Sequence, residues 1–227
     1  MSTSTDEERS SILGSSAVMA AGTTFSRLSG FIRASLLAAA LGNLLHADAF
    51  NIANTIPNML YILLAGGVFN AVLVPQLVRA LQHDDDGGEA YTNRIVTLAG
   101  LFLAAVTVLL VVAAPLVVGL YTTDWPPEVR ESTIDFARYC LPQVFFYGMF
   151  VLVGQILNSR GSFGPMMWAP IANNVISVAT LVVYLVVFGA ADGAERTAGY
   201  TRGQELLLGL GSTLGIAVQL LVLLPYL

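Results

Sequence analysis

Long apolar runs alternate with short polar stretches along the whole chain. Six runs reach the roughly 20 residues that a helix needs to cross a bilayer: 12–41, 48–81, 94–121, 132–158, 164–188 and 204–227. In lipid such runs take the helical form, because a helix satisfies its own backbone N–H and C=O groups. The third and sixth runs are the plainest. The first two exceed a bilayer's thickness and are expected to tilt, kink or project. The intervening stretches, among them GNLLHA, QHDDDGGEA, TTDWPPEVRE and NSRGSFG, carry Gly, Pro, Asn or Asp at turn positions. The fold class that follows is all-α: a polytopic transmembrane bundle of six helices over residues 11–227. A polar head at 1–10 is expected to be disordered.

Composition supports the membrane reading. The chain is 56% hydrophobic and only 11% charged, where a soluble domain carries about 25% charged residues. Mean hydropathy is +0.73. The net charge of −5 sits mostly in MSTSTDEERS and HDDDGGE, so no basic patch points to nucleic acid. Cys140 has no partner for an intrachain disulfide. The acidic head is the reverse of a signal peptide's basic start, so the first helix is expected to be uncleaved. Orientation is not fixed by charge. With the N-terminus inside, Arg9, Arg79, Arg94 and Arg160 oppose Arg130, Arg138, Arg196 and Arg202. The end at LLPYL fits either a complete six-helix bundle or a piece of something larger.

The polar groups inside the runs carry the candidate chemistry. TTFSRLSGFIR places Arg27 and Arg33 within the first run. Six helical residues separate them by about 9 Å along the axis and roughly 120° around it. A charge at mid-membrane costs about 2.5–3.5 kcal/mol on insertion scales. Two readings fit: arginines paired inside the bundle, or a hydrated cationic cavity for an anionic substrate. Guanidinium suits phosphate because its donors form a flat fork. Ser26, Ser29, Gly22 and Gly30 are small enough to admit neighbouring backbones or water.

The second run reads ADAFNIANTIPNML. Asn51, Asn54 (or Thr55) and Asn58 recur at three- and four-residue spacing and so share one face. Pro57 frees the Ala53 carbonyl and invites a kink. The amides serve either as interhelical glue or as a cavity lining. Asp48 reads first as an N-cap. Further along come Gln143, Gln155, Asn158, Pro165, Pro170, Asn173, Asn174 and Ser177; broken, amide-bearing helices suit a substrate path. Trp168 and Trp125 read as interfacial anchors. His46 and His83 fall in connectors and read as solvated. No phosphate loop, HExxH, CxxC or Ser-His-Asp pattern is present, so neither ATP hydrolysis nor another enzymatic activity, nor a cofactor or metal, is expected.

Four stretches in order, TTFSRLSGFIR, ADAFNIANTIPNML, GGVFNAVLVPQL and GQILNSRGSFGPMMWAPIANNVISV, together resemble the N-terminal half of the MurJ/MviN lipid II flippases, a family of the multidrug/oligosaccharidyl-lipid/polysaccharide transporter superfamily. The resemblance runs from about Ser15 to Leu227. It implies the first lobe of a two-lobe transporter, with the second lobe beyond this chain. The protein would sit in the bacterial cytoplasmic membrane, N-terminus in the cytoplasm. The cargo would be lipid II, the undecaprenyl-pyrophosphate-linked disaccharide-peptide that builds the cell wall. Membrane lipids and cell-wall synthesis proteins are the other partners it suggests.

By the same resemblance, Arg27 and Arg33, with Ser26 beside them, match the family's cavity arginines. Asp48, Asn58 and Asn174 match positions that face or shape the substrate path. Asn51 and Asn54 join the substrate-binding set, and Pro57, Gly30 and Pro170 the structural or gating one. The sequence also departs from the family. Tyr61, Ile62 and then Gly66-Gly67 stand where many relatives carry a basic pair and an acid-glycine, and Ala34 stands where an aspartate often follows the second arginine. Two further readings are a drug/cation antiporter or polysaccharide-unit exporter of the same superfamily, and a non-transporting membrane scaffold for cell-wall enzymes.

Overall fold

A computed structural model of the chain describes residues 3–42, 45–63, 75–76, 79–80, 88–191, 193 and 198–227, with side chains from Ala20 onward. These residues form α1 (Thr3–Leu41), α2 (Leu45–Leu63), α3 (Glu89–Val112), α4 (Ala114–Gly119), α5 (Pro127–Cys140), α6 (Gln143–Ser159), α7 (Gly164–Val187) and α8 (Arg202–Leu221), with a 3₁₀ turn at Leu224–Tyr226. No strand occurs among them.

Among the described residues four helical stretches are long and apolar enough to cross a membrane: Glu89–Val112, Pro127–Ser159, Gly164–Val187 and Arg202–Tyr226. The serines, glycines and arginines of α1, and the acid and amides of α2, lower the apolarity of those two. The remainder of the second expected run, at 64–74, 77–78 and 81, lies outside the described residues, as does His83.

Prolines divide two of the expected runs. The third breaks at Ala113 ahead of Pro115, which takes an early position in α4. The fourth breaks at Leu141-Pro142, between α5 and α6. Proline has no N–H to continue the ladder and crowds the carbonyl four residues back. α5 also starts earlier than expected, because Pro127 occupies its first position and Glu128 its first turn, where each is favoured.

Two N-termini differ from expectation as well. The head expected to be disordered enters α1 from Thr3. α2 begins at Leu45, so Asp48 lies within its first turn and is not its N-cap. α8 starts with a capping box, Thr201 and Gln204 bonding each other's backbone N–H. α6 ends in a tight reversal: Gly161 adopts φ 79°, and Ser162 N donates to Leu157 O at 2.8 Å. A left-handed cap of this kind favours glycine.

α7 is the central strut, packed along α1 on one side and α8 on the other. Its contact with α8 depends on small residues: a Cβ on Gly215 would lie 2.3 Å from Asn173 Oδ1, and one on Gly211 would lie 2.3 Å from Thr180. In membranes, where lipid tails are as apolar as leucine, close backbone approach drives helix association. α5 packs against α2 and α8, and α6 against α2, α3 and α8. The largest core gathers Phe50, Phe136, Cys140, Tyr184 and Leu208 at one end of the lobe. His46 belongs to that end: it is 1% exposed, with its ring 3.7 Å from that of Tyr200. It is buried, not solvated. α3 is the reverse of a soluble helix, with Leu98, Leu101, Phe102 and Val112 all exposed, which is the outward apolar surface that lipid requires.

Candidate functional site

The helices that surround α7 leave a cavity of about 340 Å³ between α1, α2, α6, α7 and α8. α1 contributes Arg33 and Leu37. α2 contributes Asn51, Asn54, Thr55 and Asn58, the face that three- and four-residue spacing puts in line. α6 adds Gln143 and Tyr147, α7 adds Asn173, and α8 adds Ser212 and Ile216.

Local bonding sets these side chains. Asn54 Nδ2 donates to Phe50 O at 2.9 Å, and Thr55 Oγ1 to Asn51 O at 2.6 Å. Both bonds run back one turn just before Pro57, where the backbone ladder loses a donor. Gln143 Nε2 donates to Asn54 Oδ1 at 3.1 Å, tying α6 to α2. Asn173 Oδ1 accepts from Ser177 Oγ at 3.3 Å and rests against Gly215. Among the described residues no carboxylate lines the cavity, and Arg33 forms no ion pair. The result is a guanidinium facing neutral amides. Such a site attracts an anion and offers paired donors and acceptors to its neutral parts.

Other expected residues lie elsewhere. Arg27 is exposed on α1 and does not line the cavity, as the roughly 120° between it and Arg33 requires. Asn174 faces α1: its Nδ2 donates to Ser26 O at 3.0 Å and to Ser29 Oγ at 2.8 Å. Ser26 is thereby the receiving end of an α1–α7 clasp. Trp168 reinforces it, lying against Gly22 and stacking on Phe25 at 6.2 Å. Gly30 faces the same clasp, but a Cβ there would stand an ordinary 3.8 Å from Asn174 Nδ2. Asp48 is exposed and outside the cavity. Pro57 is buried in α2, and Pro170 is half-buried in α7.

This arrangement can be set beside known proteins. A model of the family described as lipid II flippase MurJ matches residues 37–227. The chain belongs to the MurJ family. Among MurJ relatives, the probable lipid II flippase MurJ of Rhizobium meliloti (strain 1021) is 31% identical over 169 residues, which is 73% of this chain and 32% of that protein. The probable lipid II flippase MurJ of Haemophilus influenzae is 28% identical over 214 residues, 90% of this chain and 39% of that one. A solved structure of lipid II flippase MurJ in an inward closed conformation matches with a TM-score of 0.71. It covers 92% of this chain and 41% of that chain at 17% identity, so the likeness is one of fold. The chain therefore spans about a third to two fifths of the length of the MurJ proteins it matches.

Sequence reasoning left Tyr147 and Ser212 out of the site. A signal for Tyr147 existed: it follows Gln143 by four residues and so shares its face of α6. Tyr147 meets Tyr61, whose ring centroid is 4.8 Å away. Tyr61 is thus an aromatic neighbour of the cavity at a position where many relatives were expected to carry a base.

Proposed function

We propose that this chain forms one lobe of a flippase for the undecaprenyl-pyrophosphate-linked precursor of peptidoglycan. It works in the bacterial cytoplasmic membrane, with the N-terminus in the cytoplasm and the lipid moving from inner to outer leaflet. Moving the headgroup through hydrocarbon requires a polar compartment that offsets the lost hydration of two phosphates. The carrying observation is the cavity itself: Arg33 beside Asn51, Asn54, Asn58 and Gln143, with no carboxylate in its lining.

Arg33 binds the diphosphate. Arg27, six residues away and exposed, meets it on the approach. The amides bind the sugar and peptide, the polyprenyl tail stays in lipid, and a second lobe rocks against this one to alternate access. A cavity of about 340 Å³ falls near the small end of ligand sites, about 300–1,000 Å³, and so takes the diphosphate with its adjoining sugar. An antiporter for cations would place acids where this lining has amides, so the lining favours an anionic cargo.

The test is complementation of a flippase-depleted strain by the full-length protein. Arg33→Ala and Arg27→Ala are expected to fail while remaining in the membrane at normal abundance. Full rescue by both would refute the phosphate role.

A further inference from the structure

We infer that Tyr147, braced by Tyr61, is the platform on which the sugar ring next to the diphosphate stacks. The inference rests on the lipid-linked cargo proposed above and assigns that cargo's sugar a contact residue. Among the described residues the cavity lining holds a single cation, Arg33, against a larger number of neutral amides. A bare diphosphate calls for cations, whereas a polyol calls for planar groups that donate and accept in pairs, as amides do. A sugar ring also has apolar C–H faces, and these sit well on an aromatic face, whose quadrupole is negative. Ligand sites with this division of labour pair an apolar or aromatic wall with a few convergent polar groups.

Among the described residues two aromatic side chains line the cavity, Phe50 and Tyr147; Phe50 is buried in the apolar core, whereas Tyr147 is half-buried and is placed to supply that wall. It lines the cavity on the same face of α6 as Gln143, whose amide is fixed to Asn54. Its ring is held by Tyr61, 4.8 Å away and tilted by 36°. Tyr61 is anchored in turn on the apolar cluster around Phe150 and Leu157. Tyr147 is therefore a ring backed on one side by packing and still bordering the cavity, about one helical turn from the amide at Gln143.

The experiment compares two probes on the purified full-length protein: undecaprenyl pyrophosphate, and the same lipid carrying its sugar and peptide. Tyr147→Leu is expected to weaken the sugar-bearing lipid by about three- to tenfold, the range that aromatic contacts give, and to leave undecaprenyl pyrophosphate unchanged. Tyr147→Phe keeps the ring and is expected to match wild type on both. Arg33→Gln is expected to weaken both probes. If Tyr147→Leu does not reach the membrane, Tyr147→Met carries the same expectation. Equal loss on both probes, or no loss on either, overturns the stacking role and leaves the diphosphate reading in place. Wild-type protein that binds neither lipid overturns the diphosphate reading and this one together.

Discussion

At the scale of single residues, the proposed function turns on Arg33, and the distinction between charge and shape decides how it would hold a diphosphate. Lysine in its place would keep the positive charge but replace a planar fork by a compact, strongly hydrated ammonium. If the diphosphate is gripped bidentately, Arg33→Lys should bind undecaprenyl pyrophosphate roughly tenfold more weakly than wild type, the equivalent of ~1.4 kcal/mol. Undiminished binding by Arg33→Lys would reduce the residue to a point charge. Neighbouring positions also show where sequence ends as a guide. Asn173 and Asn174 lie side by side in the chain, and a helix turns them about 100° apart. One borders the cavity and the other clasps α1. Nothing local distinguishes them; the packing of α7 between α1 and α8 does. The stripe Asn51, Asn54, Asn58 was legible because its period lies within one helix. Its convergence with Arg33, Gln143 and Ser212 was not, since it depends on how separate helices pack.

Elements show the same division. The apolar runs reveal where helices form, but run length alone does not show that Pro115 and Pro142 divide two of them. Asp48 looked like a cap because the residues before it read as a connector; α2 in fact starts at Leu45, and the residue serves the dipole from inside the first turn. The α1–α7 clasp offers a test of element packing. Interhelical hydrogen bonds in membranes average about 0.6 and reach about 1.7 kcal/mol. Asn174→Leu loses two such donors, so its thermal unfolding midpoint should fall by about 2–4 °C, the shift that ~1 kcal/mol produces in a chain of this size. Binding of the lipid-linked diphosphate should stay close to wild type. An unaltered midpoint with lost binding would return Asn174 to the substrate path.

On the scale of the whole molecule, the lobe exposes an apolar surface around its apolar core and gathers a set of polar side chains at an internal cavity. α3 is the clearest case, with Leu101 66% exposed near its centre. An arginine there would face hydrocarbon with no cavity to hydrate it, at a cost of about 2.5–3.5 kcal/mol. Leu101→Arg should therefore reduce the membrane-inserted fraction severalfold, as read by alkaline extraction of membranes, although the same charge is tolerated at position 33. Equal insertion would mean that α3 does not face lipid. The fold class was readable from composition and run length, because both follow directly from the solvent. The cavity was readable only in part, because it belongs to the arrangement of helices and not to any one of them.

The central claim is that water reaches the guanidinium of Arg33 inside the bundle so that a diphosphate can replace it. Thiol labelling of Asn58→Cys by a membrane-impermeant reagent, measured against the unsubstituted protein, tests this most directly, since this chain's own thiol, Cys140, is buried. The account predicts that the new cysteine is labelled in intact membranes and that undecaprenyl pyrophosphate slows the labelling. A thiol at position 58 that stays as unreactive as Cys140, or that reacts at a rate the lipid does not change, would contradict it.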